Sequence, residues 1–365
     1  MTWVKGRHVA KFGAQIRTYY NWSGQVPYGT FGEFSFDGRF SGYPYADFLL
    51  GYPGTSHRLD PIINRSQRAY ELGLYATDTF KMNRRLTLTY GLRWDYFGSP
   101  KYGDGLDYNW DPATGNVIVP QADVSNVSPL YPTNIKVVAG NPVPSPESTN
   151  FVPRISAAYL FNKDTVIRGG YGIFNEALGP FTVINGPGPF EIGETYINGL
   201  QSGQPIFSFP DPFPGIGSAV IPSQSVTGFP QNTKNGIIQQ WNVSVERQIV
   251  GIGVRVSYAG SKGSNLNYYI NTDMPKPSTT PWTPSRNPYP QFTSTTYQRN
   301  NGSSEYNALS VEAKRRVGEL NFDWNWTWAS NLDTMENLQD PYGPLPWNHD
   351  YLTPHHRVVL NTVWH

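Results

Sequence analysis

The chain has 365 residues, a formal net charge of +1, no cysteine, 15% charged residues and 15% aromatic residues. This balance excludes a polybasic nucleic-acid-binding chain, and the lack of cysteine excludes disulfide frameworks, thiol catalysis and cysteine-based metal sites. Glycine and proline number 36 and 32, which favours short strands joined by many turns over long helices. The amino terminus lacks the apolar region of a secretory signal, and no apolar run reaches the ~18 residues of a membrane-spanning helix.

Strand-like alternation of apolar and polar residues recurs along the chain. It is clearest from Leu86 to Tyr96, where even positions are apolar and odd positions are polar or glycine. This alternation is typical of a strand with one apolar and one polar face. We predict about twelve strands, at residues 8–17, 30–37, 54–64, 70–80, 86–96, 151–161, 165–174, 237–247, 252–260, 305–315, 320–328 and 356–364.

The connections between these strands alternate between short and long. Short turns are predicted at residues 81–85, 162–164, 248–251 and 316–318, and long segments at 98–150, 176–234, 261–303 and 330–355. Structureless loops of this length are uncommon in compact soluble domains, but in an up-and-down sheet every second connection emerges at the same end. The pattern predicts an all-β, antiparallel up-and-down outer-membrane β-barrel with short periplasmic turns and long extracellular loops.

The two strand faces predict two environments. Aromatic residues on the apolar face lie at the long-loop ends of their strands, where an interfacial girdle of a membrane barrel belongs; these are Trp94, Tyr96, Tyr171, Trp241, Tyr258 and Trp328. The opposite faces carry charged and amide side chains that would line a polar lumen; these are Gln15, Arg17, Arg93, Asp95, Arg154, Arg168, Glu246, Arg255, Glu312, Lys314 and Asp323. In the alternative, a soluble sandwich, the aromatic residues would form the core and the charges would face water.

Chemical motifs are scarce. The sequence has no P-loop, no nucleophile elbow and no zinc-protease motif, so we predict no catalytic residues, no enzymatic activity and no cofactor. Two clusters resemble metal ligands, but turn chemistry and solvated histidines explain them better; they are Asp104, Asp107 and Asp111, and His349, Asp350, His355 and His356. Aromatic residues of the long loops either grip a glycan or peptide or pack the loops together; these are Trp110, Tyr131, Trp282, Tyr289 and Trp347.

Seven sequence blocks carry a family resemblance. They are Arg7 to Gly13, Ala46 to Gly51, Leu72 to Asp78, Arg85 to Arg93, Ile167 to Phe174, Gln239 to Arg247 and Tyr306 to Leu309. In this order they resemble the barrel of Oar-like TonB-dependent receptors, the transporters that carry a carboxypeptidase-regulatory-like domain ahead of a plug. The blocks cover nearly the whole chain, and their combination is more specific than any one of them.

The resemblance implies a 22-stranded barrel filled by a plug and energised through TonB. This sequence contains no plug, TonB box, regulatory domain or signal peptide, so we expect residues 1–365 to be a partial barrel whose further strands, carboxyl-terminal to it, are absent. The implied function is energy-coupled, non-covalent transport of an unknown bulky ligand across the outer membrane of a Gram-negative bacterium. Outer-membrane lipid and TonB would be its partners, and nucleic acid would not. The alternative is a secreted all-β adhesin or carbohydrate-binding protein, with a glycoside hydrolase as a distant third.

Overall fold

The computed structural model describes residues 1–21, 32–60, 66–176, 188–215, 220, 223–316, 319–335 and 340–364. Up to residue 176 its strands are β1 (Thr2–Lys5), β2 (His8–Asn21), β3 (Glu33–Ser35), β4 (Thr55–Asp60), β5 (Gln67–Lys81), β6 (Leu86–Phe97), β7 (Lys101–Tyr102), β8 (Asn109–Asp111), β9 (Asn116–Val119), β10 (Val137–Ala139), β11 (Asn150–Asn162) and β12 (Thr165–Glu176). Beyond it they are β13 (Ile192–Ile197), β14 (Leu200–Gln201), β15 (Gln204–Pro205), β16 (Ser225–Gly228), β17 (Gly236–Ile249), β18 (Ile252–Asn271), β19 (Ser294–Arg315), β20 (Leu320–Asp333), β21 (Asn348–His349) and β22 (His356–Trp364). One α-helix, α1, covers Pro44–Leu50.

Ten long strands form one antiparallel sheet in which chain order and spatial order agree. They are β2, β5, β6, β11, β12, β17, β18, β19, β20 and β22. β1 extends the sheet beside the first half of β2, with Thr2 opposite Lys11 and Lys5 opposite His8. Among the described residues, the two outer edges of the sheet are not paired with each other. The arrangement is the up-and-down meander that the sequence predicts, as an unclosed sheet.

Two of the twelve predicted strands do not belong to this sheet. The described parts of the candidates at 30–37 and 54–64 form β3 and β4, which pair with β13 in a separate three-stranded sheet. Residues 30, 31 and 61–64 lie outside the described part of the chain. The two strands have only 3 and 6 residues, which is shorter than the ~9–11 residues that a barrel strand needs to cross a membrane.

The short connections lie at one end of the sheet and are local hairpins. Val250 and Gly251 join β17 to β18, and both have positive φ angles, 47° and 75°, as a two-residue turn of type I′ requires. The side-chain oxygen of Asn83 accepts hydrogen bonds from the backbone N–H groups of Arg85 and Leu86. Of the predicted turn at 316–318, residues 317 and 318 lie outside the described chain. The long connections, at 22–66, 98–149, 177–235, 272–293 and 334–355, all leave the opposite end.

The apolar face of the sheet is continuous from strand to strand. Cross-strand neighbours place one apolar residue from each of seven successive strands in a single row; they are Tyr159, Ile167, Val245, Val256, Val311, Trp326 and Val358. Several apolar side chains on this face are more than half exposed, among them Ile16 at 75%, Phe151 at 56% and Ile155 at 57%. Because side chains alternate between the two faces with a period of two residues, every second residue of each strand stays on this face, which is the arrangement of a barrel wall that faces lipid.

The long connections pack together into a second layer, which we call the loop head. Its buried core combines residues of three different connections; they are Tyr108, Trp110, Val117, Val119, Tyr131, Ile135, Phe190, Ile192, Val226 and Phe292. Trp110, Val117 and Val119 are fully buried. Because Ile192 begins β13, this core also anchors the small sheet of β3, β4 and β13. The loops therefore have a hydrophobic core of their own.

Helix α1 is short and has mostly exposed apolar side chains. It begins at Pro44 and ends at Leu50, and Gly51 caps it in the left-handed region with a φ of 72°, as is usual for a glycine after a helix. The buried carboxylate of Asp47 accepts a hydrogen bond of 2.8 Å from the backbone N–H of Ser41, whereas Leu49 is 67% exposed. No helix in the described ranges is long and apolar enough to cross a membrane.

Candidate functional site

The polar face of the sheet is the first part of the candidate site. Eight of the eleven predicted lumen residues are the main candidates for the site, and register pairs place them on this face, opposite to the apolar row; they are Arg93, Asp95, Arg154, Arg168, Glu246, Arg255, Glu312 and Asp323. They form two groups. Arg93, Asp95 and Arg154 lie toward the long-loop end of the sheet, and the other five lie toward the short turns.

The group near the short turns is a chain of ion pairs across neighbouring strands. Glu246 forms ion pairs with two arginines: its Oε1 lies 3.5 Å from Nε of Arg168 and 3.1 Å from Nη2 of Arg255. Arg255 also approaches Glu312 at 3.6 Å, and Lys314 pairs with Asp323 at 2.5 Å. The arginine side chains are 54% and 46% exposed, so these pairs contribute little to stability. Their charges remain accessible from the interior side of the sheet.

The group near the loops is more buried and more tightly arranged. Asp95 accepts a hydrogen bond of 2.7 Å from Nε of Arg93, and Nη2 of Arg93 donates to the side-chain oxygen of Gln15 at 3.2 Å. Arg93 and Asp95 are only 26% and 11% exposed. Gly73 makes room for the pair, because a Cβ there would lie 2.3 Å from Nη2 of Arg93. Gly73 was not predicted in this role, since nothing local in the sequence shows which glycine faces an ion pair.

Arg154 is the third cation of the upper group, and it has a different environment. Its guanidinium lies over the ring of Phe174, 4.4 Å from the ring centroid, in cation–π contact. Its neighbours in register are Gly91 on one side and Gly172 on the other. Glycines on both sides leave the space beside the guanidinium open, and Arg154 makes no ion pair with a described residue.

A cavity of about 260 Å³ opens beside this upper group. Three guanidinium groups and two carboxylates surround it, because Arg17 and Glu71 join the residues above, with 3.4 Å between Arg17 and Glu71. Charges of both signs at one depth can hydrogen-bond transiently to a polar ligand without changing it covalently. The arrangement suits binding and passage, and sequence analysis missed Glu71 and Phe174 as members of it.

The six predicted girdle residues all lie on the apolar face. Trp94 and Tyr96 stack with ring centroids 6.3 Å apart. The hydroxyl of Tyr171 donates to Gln239 at 2.8 Å, and the ring of Trp241 lies over Gly260, where a Cβ would come within 2.5 Å of it. The remaining two members of the girdle are Tyr258 and Trp328. Their contact with an interface remains a prediction.

The six predicted girdle residues are not the whole set of aromatic residues on the apolar face. A second set lies near the short turns on the same face; it includes Tyr159, Phe161, Trp324, Trp326 and Trp364. The alternation of the sequence contains this signal, because these residues have the parity of the apolar face. Aromatic residues at both ends of an apolar band are typical of membrane barrels.

A buried polar group stabilises the small sheet of the loop head. Arg58 of β4 donates to Glu194 of β13 at 2.6 Å, and the hydroxyl of Tyr196 donates to the same carboxylate at 2.6 Å. Glu194 and Tyr196 are almost fully buried. Burial, with the added hydrogen bond to Glu194, raises the pKa of Tyr196 to about 12. These contacts fix the register of the two strands.

The residues considered as metal ligands make other contacts in the structure. Asp104, Asp107 and Asp111 each accept a hydrogen bond from a backbone N–H within five residues, which is turn chemistry. His355 contacts the backbone oxygen of Ala329, and the His356 ring stacks on Trp326 at 6.0 Å. Within the described ranges, no group of three or more potential ligands converges on one point.

Three of the five loop aromatic residues pack inside the loop head. Trp110 is fully buried and Tyr131 is 8% exposed. The ring of Tyr289 meets Trp110 edge to face, with centroids 4.7 Å apart. Trp282 and Trp347 are 61% and 50% exposed, so of the five rings these two are the most accessible to a ligand.

Solved structures of three proteins are similar to this chain at low sequence identity. The FrpB iron transporter from Neisseria meningitidis (F3-3 variant) is similar over 92% of this chain and 35% of its own, with 11% identity and a TM-score of 0.46. The copper transporter OprC is similar over 90% and 36%, with 10% identity and a TM-score of 0.46. The ferric-catecholate import receptor Fiu from E. coli K12 is similar over 100% and 40%, with 11% identity and a TM-score of 0.45.

This chain therefore spans 35% to 40% of the length of these solved proteins. A search of curated proteins found no match. The sequence model of the family described as outer membrane beta barrel domain matches residues 1–365. This match confirms the predicted barrel class and the location in the Gram-negative outer membrane, and it does not favour the secreted adhesin. The chain belongs to the outer membrane beta barrel domain family.

Proposed function

We propose that this chain forms part of the barrel wall of a TonB-dependent outer-membrane receptor. In this proposal the polar face lines a lumen through which a bulky ligand passes without covalent chemistry. A plug and TonB supply the energy coupling, as the resemblance to Oar-like receptors implies. The loop head captures the ligand on the outer side of the membrane. The three similar solved proteins carry iron, copper and ferric-catecholate, which are examples of cargo in such receptors.

The observation that carries the proposal is the contrast between the two faces of one sheet. Across ten strands, one face is apolar and exposed, and the other holds exposed ion pairs such as Arg255 with Glu246. A soluble protein with this sheet would leave its apolar face in water, at a cost of about 25 cal/mol for each Å². In a membrane barrel, the same face contacts lipid and the charges contact a wet interior.

The absence of cysteine makes a direct labelling test feasible. Ser257 lies on the polar face and Val256, the next residue, on the apolar face. We expect a membrane-impermeant, charged maleimide added to intact cells to label Ser257→Cys and not Val256→Cys. Because the two positions are adjacent on one strand, each is the matched control of the other. Equal labelling of both would contradict a lipid-facing apolar surface.

Energy coupling has its own readout in the same cells. A TonB-dependent plug movement changes the access of the maleimide to Ser257→Cys, so its labelling rate should change when the tonB gene is deleted or a protonophore is added. Identical labelling rates in untreated cells, in cells without tonB and in cells with the protonophore would refute TonB coupling and leave an uncoupled barrel. Recovery of the protein from the culture medium instead of the membrane would support the adhesin.

A further inference from the structure

A cavity on the apolar side of the sheet lies at its long-loop end. It has a volume of about 800 Å³ and opens between β2, β5, β6 and the connection that follows β6. Pro144 and its neighbours in that connection form the outer wall. Its strand residues Tyr20, Arg68 and Tyr70 have the parity of the apolar face, and of its lining residues Tyr19 also lines the polar-face cavity beside Arg93.

Two cations lie side by side at the top of this cavity. Arg68 is opposite Tyr20 on β2 and opposite Lys101 on β7, so the three side chains form one row. The guanidinium carbon of Arg68 lies 5.5 Å from the centroid of the Tyr20 ring. Arg68 and Lys101 are exposed, and neither makes an ion pair with a carboxylate among the described residues. Two adjacent cations with no carboxylate partner in the described part of the chain favour an anionic ligand.

Aromatic rings continue from these cations toward the membrane. The rings of Tyr70 and Tyr96 are 5.8 Å apart, and Tyr96 stacks on Trp94 at 6.3 Å. Tyr96 is opposite Leu72, four residues from Arg68, which corresponds to roughly 13 Å along the strand. Leu72 and the exposed Leu74 then continue the apolar surface below. The face thus changes in order from aliphatic to aromatic to cationic.

We propose that this cavity binds the phosphorylated sugar headgroup of an outer-leaflet glycolipid of the lipid A type. Arg68 and Lys101 hold the phosphate, since guanidinium groups pair with phosphate through two parallel hydrogen bonds. The rings of Tyr70 and Tyr96 contact the sugar, and the acyl chains lie along Leu72 and Leu74. The order of side chains along the face, cationic then aromatic then aliphatic, matches the order of phosphate, sugar and acyl chains in such a lipid. A soluble anion would not require the aromatic and aliphatic part of this order.

The test is a titration of the full chain, purified in detergent micelles, with bis-phosphorylated lipid A, followed by native mass spectrometry. Dephosphorylated lipid A and inorganic phosphate are the comparison ligands. The double variant R68Q/K101Q removes both cations, and R68K/K101R keeps them. A matched control, K136Q/K163Q, removes the same charge at two exposed lysines elsewhere in the chain.

We expect the wild-type chain, R68K/K101R and K136Q/K163Q to bind lipid A alike. Binding should weaken about 30-fold in R68Q/K101Q and to a similar extent on dephosphorylation, given roughly 1 kcal/mol for each cation near an anionic surface. The proposal is overturned if R68Q/K101Q binds as the wild-type chain does. It is also overturned if inorganic phosphate alone occupies the cavity and lipid A binds no more tightly. Since the test measures lipid binding, its failure leaves the transport proposal untouched.

Discussion

Trp110 is the residue whose removal should separate the loop head from the sheet. It is fully buried, and the rings of Tyr289, Phe292 and Tyr297 lie 4.7, 6.1 and 6.2 Å from it. Replacing a buried tryptophan by alanine costs about 3–5 kcal/mol, because the cavity is only partly refilled. At ~1.4 kcal/mol for each factor of ten, this corresponds to roughly 100- to 3,000-fold more frequent opening of the loop head.

Hydrogen exchange followed by mass spectrometry measures this opening directly. In Trp110→Ala, we expect amides of β9 and β16 to exchange faster by about that factor, while amides of β17 and β18 keep the wild-type rate. Trp282→Ala is the matched control, because Trp282 lies in the same layer and is 61% exposed. Trp110→Phe should have an intermediate effect. If Trp110→Ala exchanges no faster than Trp282→Ala, the loops do not share a cooperative core.

Three further predictions concern the sheet and the loop head. Burial raises the pKa of Tyr196 to about 12, so the contribution of the neutral Tyr196 to loop-head stability is complete below pH 10 and is lost as the pH rises to 12. Roughly 2–3 kcal/mol of loop-head stability should disappear over this range. Hydrogen exchange measured across the same range should not show this loss in Tyr196→Phe. Gly260→Val forces the Trp241 ring to move and should destabilise the sheet by about 1–3 kcal/mol, which denaturant unfolding followed by tryptophan fluorescence measures. Gly253→Val is the control and should not destabilise the sheet, because a Cβ at Gly253 makes no contact closer than 3.5 Å. Equal effects of the two variants would contradict this packing. Glu246→Gln breaks exposed ion pairs and should change stability by no more than about 1 kcal/mol, less at high salt; a larger change in thermal unfolding would show that these pairs are structural.

The sequence alone predicts the barrel strands because their alternation is local. A period of two is visible in any single strand, as from Leu86 to Tyr96, without knowledge of its neighbours. The same alternation assigns Arg93 and Arg255 to one face and Trp94 and Tyr258 to the other. It failed for β3 and β4, because a short alternating run has the same pattern in a barrel wall and in a loop.

Only the tertiary structure decides which side chains meet. Arg58 and Glu194 are separated by 136 positions, and no periodicity relates them. Likewise, Arg154 gains open space because two glycines from β6 and β12 face it, and Arg68 gains Lys101 because the chain after β6 returns to β5. Face and environment follow from the local backbone period, whereas contacts depend on strand register and on loops that close over many residues.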